Sequence, residues 1–410
     1  MSNQLAYFDN NIEIYWHGII MGLGIALGTV AAGWFLGRLR SGGMTLAAAI
    51  LAVSFFPGII LSRAMYLFFS GADAGLFDFA AGGHALYGGI LGVILSAVLI
   101  SKLSKDLPLP ILLDCIAPAG TIAIATGRFA SGFSGEDLGQ IVSIEAFQKA
   151  PFATQSAVDG YWYLSVYFFE GIAALIIASV LTLRFLSIYK GGKALRKPGT
   201  VALLGTILYT ASQSVLESMR KDLLYLIPLN LGFVKTSQVI SAIILLVIAV
   251  ILCIKAWKLL DDKMIQIAAW IAILCGLALA FIMEFKMVSG VMIKNYTIMS
   301  ISLTAAAAAM IYIMIKTSAL KKPIIVGMPE KDADVGEGLV PSREPAPSRE
   351  TERKQFQRRT SNSLAHVDLD DNKSGEPAPQ DHILIDTKPD SNDENTEEKK
   401  PGGGLFDRYL

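Results

Sequence analysis

The sequence predicts an all-α integral membrane protein with about nine transmembrane helices, an outer N-terminus and a disordered cytoplasmic C-terminal tail. Three observations predict this fold class. The 410 residues are 53% hydrophobic and only 17% charged, and the mean hydropathy is +0.50, which is too apolar for an ordinary soluble protein. Apolar runs long enough to cross a bilayer recur along the chain. After about residue 320 the chain becomes rich in Pro, Ser and charged residues, which cannot bury enough apolar surface to offset chain entropy.

The spans are placed from the length of the apolar runs, because a helix needs about 20 residues to cross the hydrocarbon core. Nine runs meet this requirement, and the sixth is the shortest. The predicted spans are 16–37, 45–69, 85–103, 108–127, 161–187, 199–216, 236–256, 265–284 and 297–316.

The orientation is predicted from the Lys and Arg residues of the short loops, which favour the cytoplasmic side. The loops after spans 1, 3, 5, 7 and 9 are basic, and the strongest cluster runs from Arg184 to Lys197. The other loops are poorer in basic residues, although Arg128, Arg220 and Lys235 fall there. This pattern places the N-terminus outside and the tail in the cytoplasm.

The charge divides the chain into a basic body and an acidic tail. The residues from Lys321 onward include 14 Lys and Arg and 19 Asp and Glu, although the net charge of the whole chain is zero. We expect a membrane domain over 1–256, two additional transmembrane helices over 257–319 and the tail over 320–410. Two short apolar islands in the tail could bind an unknown cytoplasmic partner, and a plain solvated tail is the alternative. We expect no nucleic-acid partner.

The three cysteines are expected to be small apolar core residues. Cys115, Cys253 and Cys275 lie in apolar segments without a CxxC spacing. Such positions indicate neither a disulfide framework nor a metal site.

The residues from Asp114 to Gly139 are the most informative stretch of the sequence. They begin as an apolar helix that contains a proline, and they end in a loop of Gly, Ser, Arg and acidic residues. Arg128 is predicted where the membrane helix stops and the polar loop begins. An arginine at that level is placed to hold an anion near the lipid headgroups.

Other polar residues near the outer ends of the spans are further candidates, because ionisable groups are costly in a bilayer. Glu217 and Arg220 lie at the outer end of span 6, and His17 and Tyr87 begin spans 1 and 3. Arg220, His17 and Tyr87 could equally be interfacial anchors without chemistry. Together with Arg128, these residues predict an outer-facing site for an anionic, lipidic ligand.

The same stretch resembles the prolipoprotein diacylglyceryl transferase family. The matching positions are Asp114, Ala117, Pro118, Gly127, Arg128, Gly135, Glu136 and Gly139. Supporting matches are YWHGIIMGLG in span 1, SRAMYLFF in span 2, YGGILG in span 3, YFFEG in span 5 and SQVIS entering span 7. The resemblance covers about residues 12–256.

The resemblance implies transfer of the diacylglyceryl group of phosphatidylglycerol to the lipobox cysteine in the signal peptide of a preprolipoprotein, at the bacterial plasma membrane. Such a reaction needs a cation on the phosphate that leaves and a thiolate nucleophile, and it requires no metal or cofactor. The implied catalytic residues are Arg128, Glu217, His17 and Tyr87. The implied substrate-binding residues are Arg128, Ser131, Glu136, Gly139, Tyr209, Gln213 and Arg220.

The chain departs from the family pattern at four of these positions. His17 stands where the family usually has tyrosine, and Tyr87 stands where it has histidine. Ser131 replaces an asparagine, and Gln213 replaces an arginine, so that a hydrogen-bond donor remains but a charge is lost. Two hypotheses follow: a divergent transferase, or a catalytically degenerate member that binds lipids or serves as a scaffold.

Overall fold

The structure, a computed structural model, describes residues 4–325 except 9–11, 79–81, 105–106, 136, 157–158, 191–192, 222–223, 227–230 and 287–291. Within these residues the chain forms nine long helices. They are α1 (Trp16–Gly37), α2 (Gly43–Ser70), α3 (Leu86–Leu103), α4 (Leu109–Ser134), α5 (Val166–Ile188), α6 (Thr200–Met219), α7 (Thr236–Leu259), α8 (Lys263–Lys286) and α9 (Met292–Thr317).

The helices confirm the predicted class of helical membrane protein. In the described part of the chain, eight of them are long and apolar enough to cross a membrane. Helix α6 is the exception, because Thr, Ser, Gln and Glu interrupt its apolar sequence. The predicted disordered tail lies outside the described residues from 326 onward.

The helices pack side by side around one apolar core. Helix α4 packs along α1 and against α5 and α6, while α2 packs along α3. Helices α8 and α9 pack along each other, and α9 also contacts α6 and α7. The polar helix α6 therefore has neighbours on several sides, which keeps its polar residues among other helices.

Short antiparallel strand pairs, which the sequence did not predict, lie between the helices. They are β1 (Gln4–Phe8) with β2 (Ile12–Tyr15), β3 (Ala153–Gln155) with β4 (Trp162–Leu164), β5 (Tyr189–Lys190) with β6 (Lys193–Arg196), and β7 (Tyr225–Leu226) with β8 (Leu231–Lys235). Strand β9 (Ala319–Ile325) pairs with β6. Residues 320–325 were assigned to the tail, but they belong to this three-stranded sheet.

Two helix bounds differ from the prediction in a way that matters for the site. Helix α4 continues to Ser134, so Arg128 lies inside the helix rather than at its end. The helix stops where Gly135 adopts a φ of +75° and its N–H bonds to the carbonyl of Ser131. Helix α5 begins at Val166 instead of residue 161, because the preceding residues form β4.

Helix α3 approaches α2 closely at the glycines that precede the middle of span 3. A Cβ on Gly88 would lie 2.4 Å from the carbonyl oxygen of Leu61, so no larger residue fits there. A Cβ on Gly92 would be similarly close to Gly58, at 2.6 Å. A Cβ on Gly89 would lie 4.0 Å from its nearest neighbours on α2. The backbones of α2 and α3 are therefore in contact at Gly88, next to Tyr87.

The start of α6 is fixed by a buried carboxylate from α4. Asp114 is fully buried and accepts hydrogen bonds from the backbone N–H groups of Gly199 and Ala202, both at 2.8 Å. It also accepts one from the hydroxyl of Tyr189 at 2.7 Å. A carboxylate at a helix N-terminus satisfies its unpaired donors and complements its dipole. Asp114 is therefore a structural residue that anchors α6.

The end of α6 is fixed by a lysine. The ammonium of Lys235 donates to the carbonyl oxygens of Glu217 at 2.7 Å and Arg220 at 2.8 Å. A cation at a helix C-terminus satisfies carbonyls that have no partner within the helix. Helix α6 is thus held at both ends by charges of the favourable sign.

Candidate active site

A network of buried ion pairs joins α4, α5, α6 and the loop after α4. The guanidinium of Arg128 contacts Asp137 at 2.9 Å and Glu170 at 3.2 Å. Arg220 contacts the other carboxylate oxygen of Asp137, and it lies 3.4 Å from Glu217. These five side chains, each at most 14% exposed, are called the ion-pair cluster below.

Asp137 is the bridge of the ion-pair cluster, since it holds Arg128 with one oxygen and Arg220 with the other. The Ser131 hydroxyl, predicted to bind substrate, contacts this carboxylate as well. Burial opposes ionisation of Asp137, but the two guanidiniums outweigh it and hold its pKa below the usual range. Asp137 was not predicted as a site residue, although it is the second acid of the Gly-Glu-Asp stretch in the loop after Arg128.

Asp137→Asn is expected to lower the midpoint of thermal unfolding in detergent by about 5 °C or more at pH 7, because it breaks a buried pair. The folded-state pKa is lowered, so Asp137 stabilises the fold above the unfolded-state value of about 4. This stabilisation is lost as the pH falls through the lower, folded-state value. The measurement is the midpoint of both chains from pH 7 to pH 3.5.

The matched control for this prediction is Asp73→Asn, which changes an exposed aspartate in the loop after α2. Its midpoint should match the unmodified chain at every pH. A difference between Asp137→Asn and the unmodified chain that vanished between pH 7 and pH 5 would contradict the assigned pKa direction.

Gln213 joins two carboxylates of the ion-pair cluster. Its amide nitrogen donates to Glu170 at 2.9 Å and to Glu217 at 3.1 Å, and its side chain is buried. Glu170 lies in the YFFEG stretch that matched the family in span 5, but it was not predicted as a site residue. Since Gln213 is neutral, the described ion-pair cluster contains two guanidiniums against three carboxylates.

Two tyrosines of the predicted site lie next to the ion-pair cluster. The buried hydroxyl of Tyr209 lies beside Arg128. Tyr87 is half-buried on α3, and its hydroxyl forms a short hydrogen bond with Ser241 of α7. Tyr87 is also within electrostatic range of Glu217 and Arg128. These contacts bring α3 and α7 to the same site.

His17 contacts the backbone of α4 close to Arg128. Its Nδ1 lies 3.2 Å from the carbonyl oxygen of Ala130 and donates to it when that nitrogen carries the proton. This contact places His17, in the first turn of α1, beside the turn of α4 that follows Arg128.

The loop after α4 is fastened to the end of α6. Gly139 forms a β-bridge with Arg220, and a Cβ there would lie 2.7 Å from Val166 and 2.9 Å from the Met219 carbonyl. Close packing of two backbones therefore explains the glycine at a position predicted to bind substrate. Glu136, also predicted to bind substrate, lies outside the described residues.

The rest of this loop contains the β3–β4 hairpin and is called the arm below. The backbone N–H of Lys221 donates to Leu138 at 2.8 Å, and its ammonium donates to the hydroxyl of Tyr163 at 3.0 Å. Tyr163 in turn donates to Asp159 at 2.6 Å. The arm is thus tied to the residue that follows Arg220.

The ion-pair cluster is suited to hold a phosphate group. A guanidinium carries five N–H donors, and the contacts with Asp137 and Glu170 engage two of those on Arg128. Carboxylates that fix a guanidinium in advance remove the need to reorganise it during a reaction. Arginine in such a fork matches the paired oxygens of a phosphate.

Comparisons with known proteins show which sequences this chain is similar to. The sequence model of the prolipoprotein diacylglyceryl transferase family matches residues 4–255. The phosphatidylglycerol–prolipoprotein diacylglyceryl transferase of Clostridium novyi (strain NT) is 28% identical over 261 residues, which are 62% of this chain and 96% of that protein. The enzyme of the same name from Clostridium kluyveri is 27% identical over 246 residues, 58% of this chain and 91% of that protein.

The matched region contains α1 to α7 up to residue 255, and with them every residue of the ion-pair cluster. Helices α8 and α9 lie beyond it. Because the match spans more than half of the 410 residues, this chain belongs to the prolipoprotein diacylglyceryl transferase family.

Proposed function

We propose that this chain transfers the diacylglyceryl group of phosphatidylglycerol to the lipobox cysteine of preprolipoproteins in the bacterial plasma membrane. The observation that carries the proposal is the buried pair Arg128 and Arg220, held by three carboxylates within the matched region. Residues 1–256 form the transferase domain, with the arm and ion-pair cluster on the outer face. The two additional helices and the cytoplasmic tail follow it.

The reaction forms one bond and breaks one. The cysteine sulfur loses its proton and attacks the terminal glycerol carbon of the diacylglyceryl group, because the thiolate is the reactive form. The C–O bond to the phosphate breaks, and glycerol 1-phosphate leaves with an additional negative charge. Arg128 stabilises that charge, and removing one such preorganised donor costs about 100- to 1,000-fold in rate.

The remaining site residues orient these groups. Glu217 holds Arg220, and Gln213 holds Glu217 and Glu170. Tyr209 lies against Arg128 on the side of α6. His17 and Tyr87, in the first turns of α1 and α3, line the approach of the thiol. Their exchanged identities relative to the family pattern keep one imidazole and one phenol at the site.

The experiment is replacement of a host transferase by this chain. A bacterium depleted of its own enzyme receives the chain together with a reporter preprolipoprotein, and mass spectrometry reads the mass added to the reporter cysteine. We expect a diacylglyceryl thioether. A correctly inserted chain that leaves the cysteine unmodified would exclude transferase activity and leave the catalytically degenerate alternative, which the loss of a charge at Gln213 favours.

A further inference from the structure

The additional helix α9 contacts the end of α6 that carries Glu217 and Arg220, and α8 packs along α9 and against α7. We propose that α8 and α9 position this end of α6, through Tyr296 and Glu284, and thereby hold the ion-pair cluster in its working geometry. This inference rests on the proposed transferase function. It makes Tyr296 and Glu284 positioning residues, which lie outside the region matched by the family.

Tyr296 is the direct contact. Its hydroxyl donates to the carbonyl oxygen of Ser218 at 3.1 Å, and Ser218 directly follows Glu217 in the chain. The last carbonyls of a helix have no partner within it, so their position depends on such outside donors. A hydrogen bond from α9 therefore acts on the backbone that carries the site.

Glu284 acts on Lys235, whose ammonium donates to the same Ser218 carbonyl at 3.2 Å and to those of Glu217 and Arg220. The Glu284 carboxylate of α8 forms a hydrogen bond with the side chain of Gln238, and the charge of Lys235 favours its ionised form. Gln238 also donates to the carbonyl of Ser214 on α6, at 3.2 Å. A carboxylate between membrane helices is costly unless a cation or donor compensates it. Glu284 and Lys235 therefore stabilise each other, and Lys235 is held where it caps α6.

Helices α8 and α9 form a close-packed pair, which suits them to this role. A Cβ on Gly276 would lie 2.6 Å from the carbonyl oxygen of Ser302, so the two backbones touch. The side chain of Asn295 donates to the carbonyl of Lys286 at 3.0 Å and joins the end of α8 to the start of α9. Met299 and Leu303 of α9 are buried in the core that includes α6.

The site is sensitive to a small movement of this turn. Glu217 accepts from Gln213 at 3.1 Å and from Arg220 at 3.4 Å, and both contacts are already near the upper limit of a hydrogen bond. A displacement of a reacting group by about 1 Å can cost about 100-fold in rate. The contacts from α8 and α9 thus act on the turn of α6 that carries Glu217 and Arg220.

Tyr296→Phe removes only the hydroxyl and tests the direct contact. We expect the transfer rate per folded protein to fall by about three- to tenfold, the effect of one hydrogen bond. Amide hydrogen exchange over residues 215–220 should become faster in the same variant. The control is Tyr312→Phe on the same helix. Tyr312 is 39% exposed, and the ammonium of Lys316 lies over its ring. This substitution should change neither the rate nor the exchange.

The same substitution in a chain that also carries Glu217→Gln distinguishes a positioning role of Tyr296 from a general loss of folding. In a chain with Glu217→Gln, Tyr296→Phe should leave the residual rate unchanged, because the group it positions has already been altered. An equal loss in both backgrounds, or unchanged exchange over 215–220, would overturn the proposal. If the unmodified chain forms no thioether, the transferase function itself fails, and hydrogen exchange alone still decides whether α9 holds the end of α6.

Discussion

Arg128→Ala is expected to lower thioether formation by about 100- to 1,000-fold, which is below detection in most assays. The change removes the cation that stabilises the departing phosphate. It also leaves Asp137 and Glu170 buried with Arg220 as their remaining cationic partner. The measurement is the initial rate of reporter modification by the purified protein in phosphatidylglycerol vesicles, followed by mass spectrometry.

Two variants control this prediction. Arg128→Lys keeps the charge but not the planar fork, and a single ammonium cannot hold Asp137 and Glu170 as the fork does. We expect its rate to lie between those of the alanine variant and the unmodified chain. Arg38→Ala removes an arginine that stacks on Trp34 at the opposite end of α1, and it should leave the rate unchanged. Full activity of a folded Arg128→Ala chain would remove this residue from the reaction.

Gln213→Arg is expected to raise the transfer rate by about tenfold to several hundredfold, because a third preorganised cation stabilises the departing charge. The new guanidinium would lie between Glu170 and Glu217, which Gln213 already contacts. It would balance the three carboxylates of the ion-pair cluster with three cations. The measurement is the same initial rate at several phosphatidylglycerol concentrations, so that kcat and KM are separated.

The controls at this position vary charge at similar size. Gln213→Met removes both hydrogen bonds without adding charge and should lower the rate. Gln213→Glu adds a fourth carboxylate next to Glu170 and Glu217, and it should lower the rate further. A Gln213→Arg chain that folds but is no faster than the unmodified one would show that the lost family arginine does not limit the reaction here.

The family resemblance explains why much of the site was predictable. Arg128, Glu217 and Arg220 were predicted because they are ionisable residues near the ends of spans. The structure brings all three into one ion-pair cluster. Glu170 was included only in the YFFEG match of span 5 and was not predicted as a site residue. It belongs to the ion-pair cluster because it lies 3.2 Å from Arg128, which is 42 positions earlier in the chain. No local pattern carries that information.

The depth of Arg128 is the clearest difference between expectation and structure. Hydropathy predicted the end of span 4 at residue 127, because the residues that follow are small and polar. Ala130 and Ser131 are nevertheless buried, and the helix continues to Ser134. Packing against α1 and α5 supports helix there that hydropathy alone does not, so Arg128 lies within the bundle.

The sequence by itself determined the helical membrane fold and the family, and it predicted Arg128, Glu217 and Arg220, which the structure brings into the ion-pair cluster. Span positions follow from local apolar length, and the bounds of α1 coincide with the prediction at 16–37. Only the tertiary structure decided that Asp137 joins the two arginines and that α9 reaches the end of α6. Both depend on the distances between segments far apart in sequence, which are set by how the helices pack together.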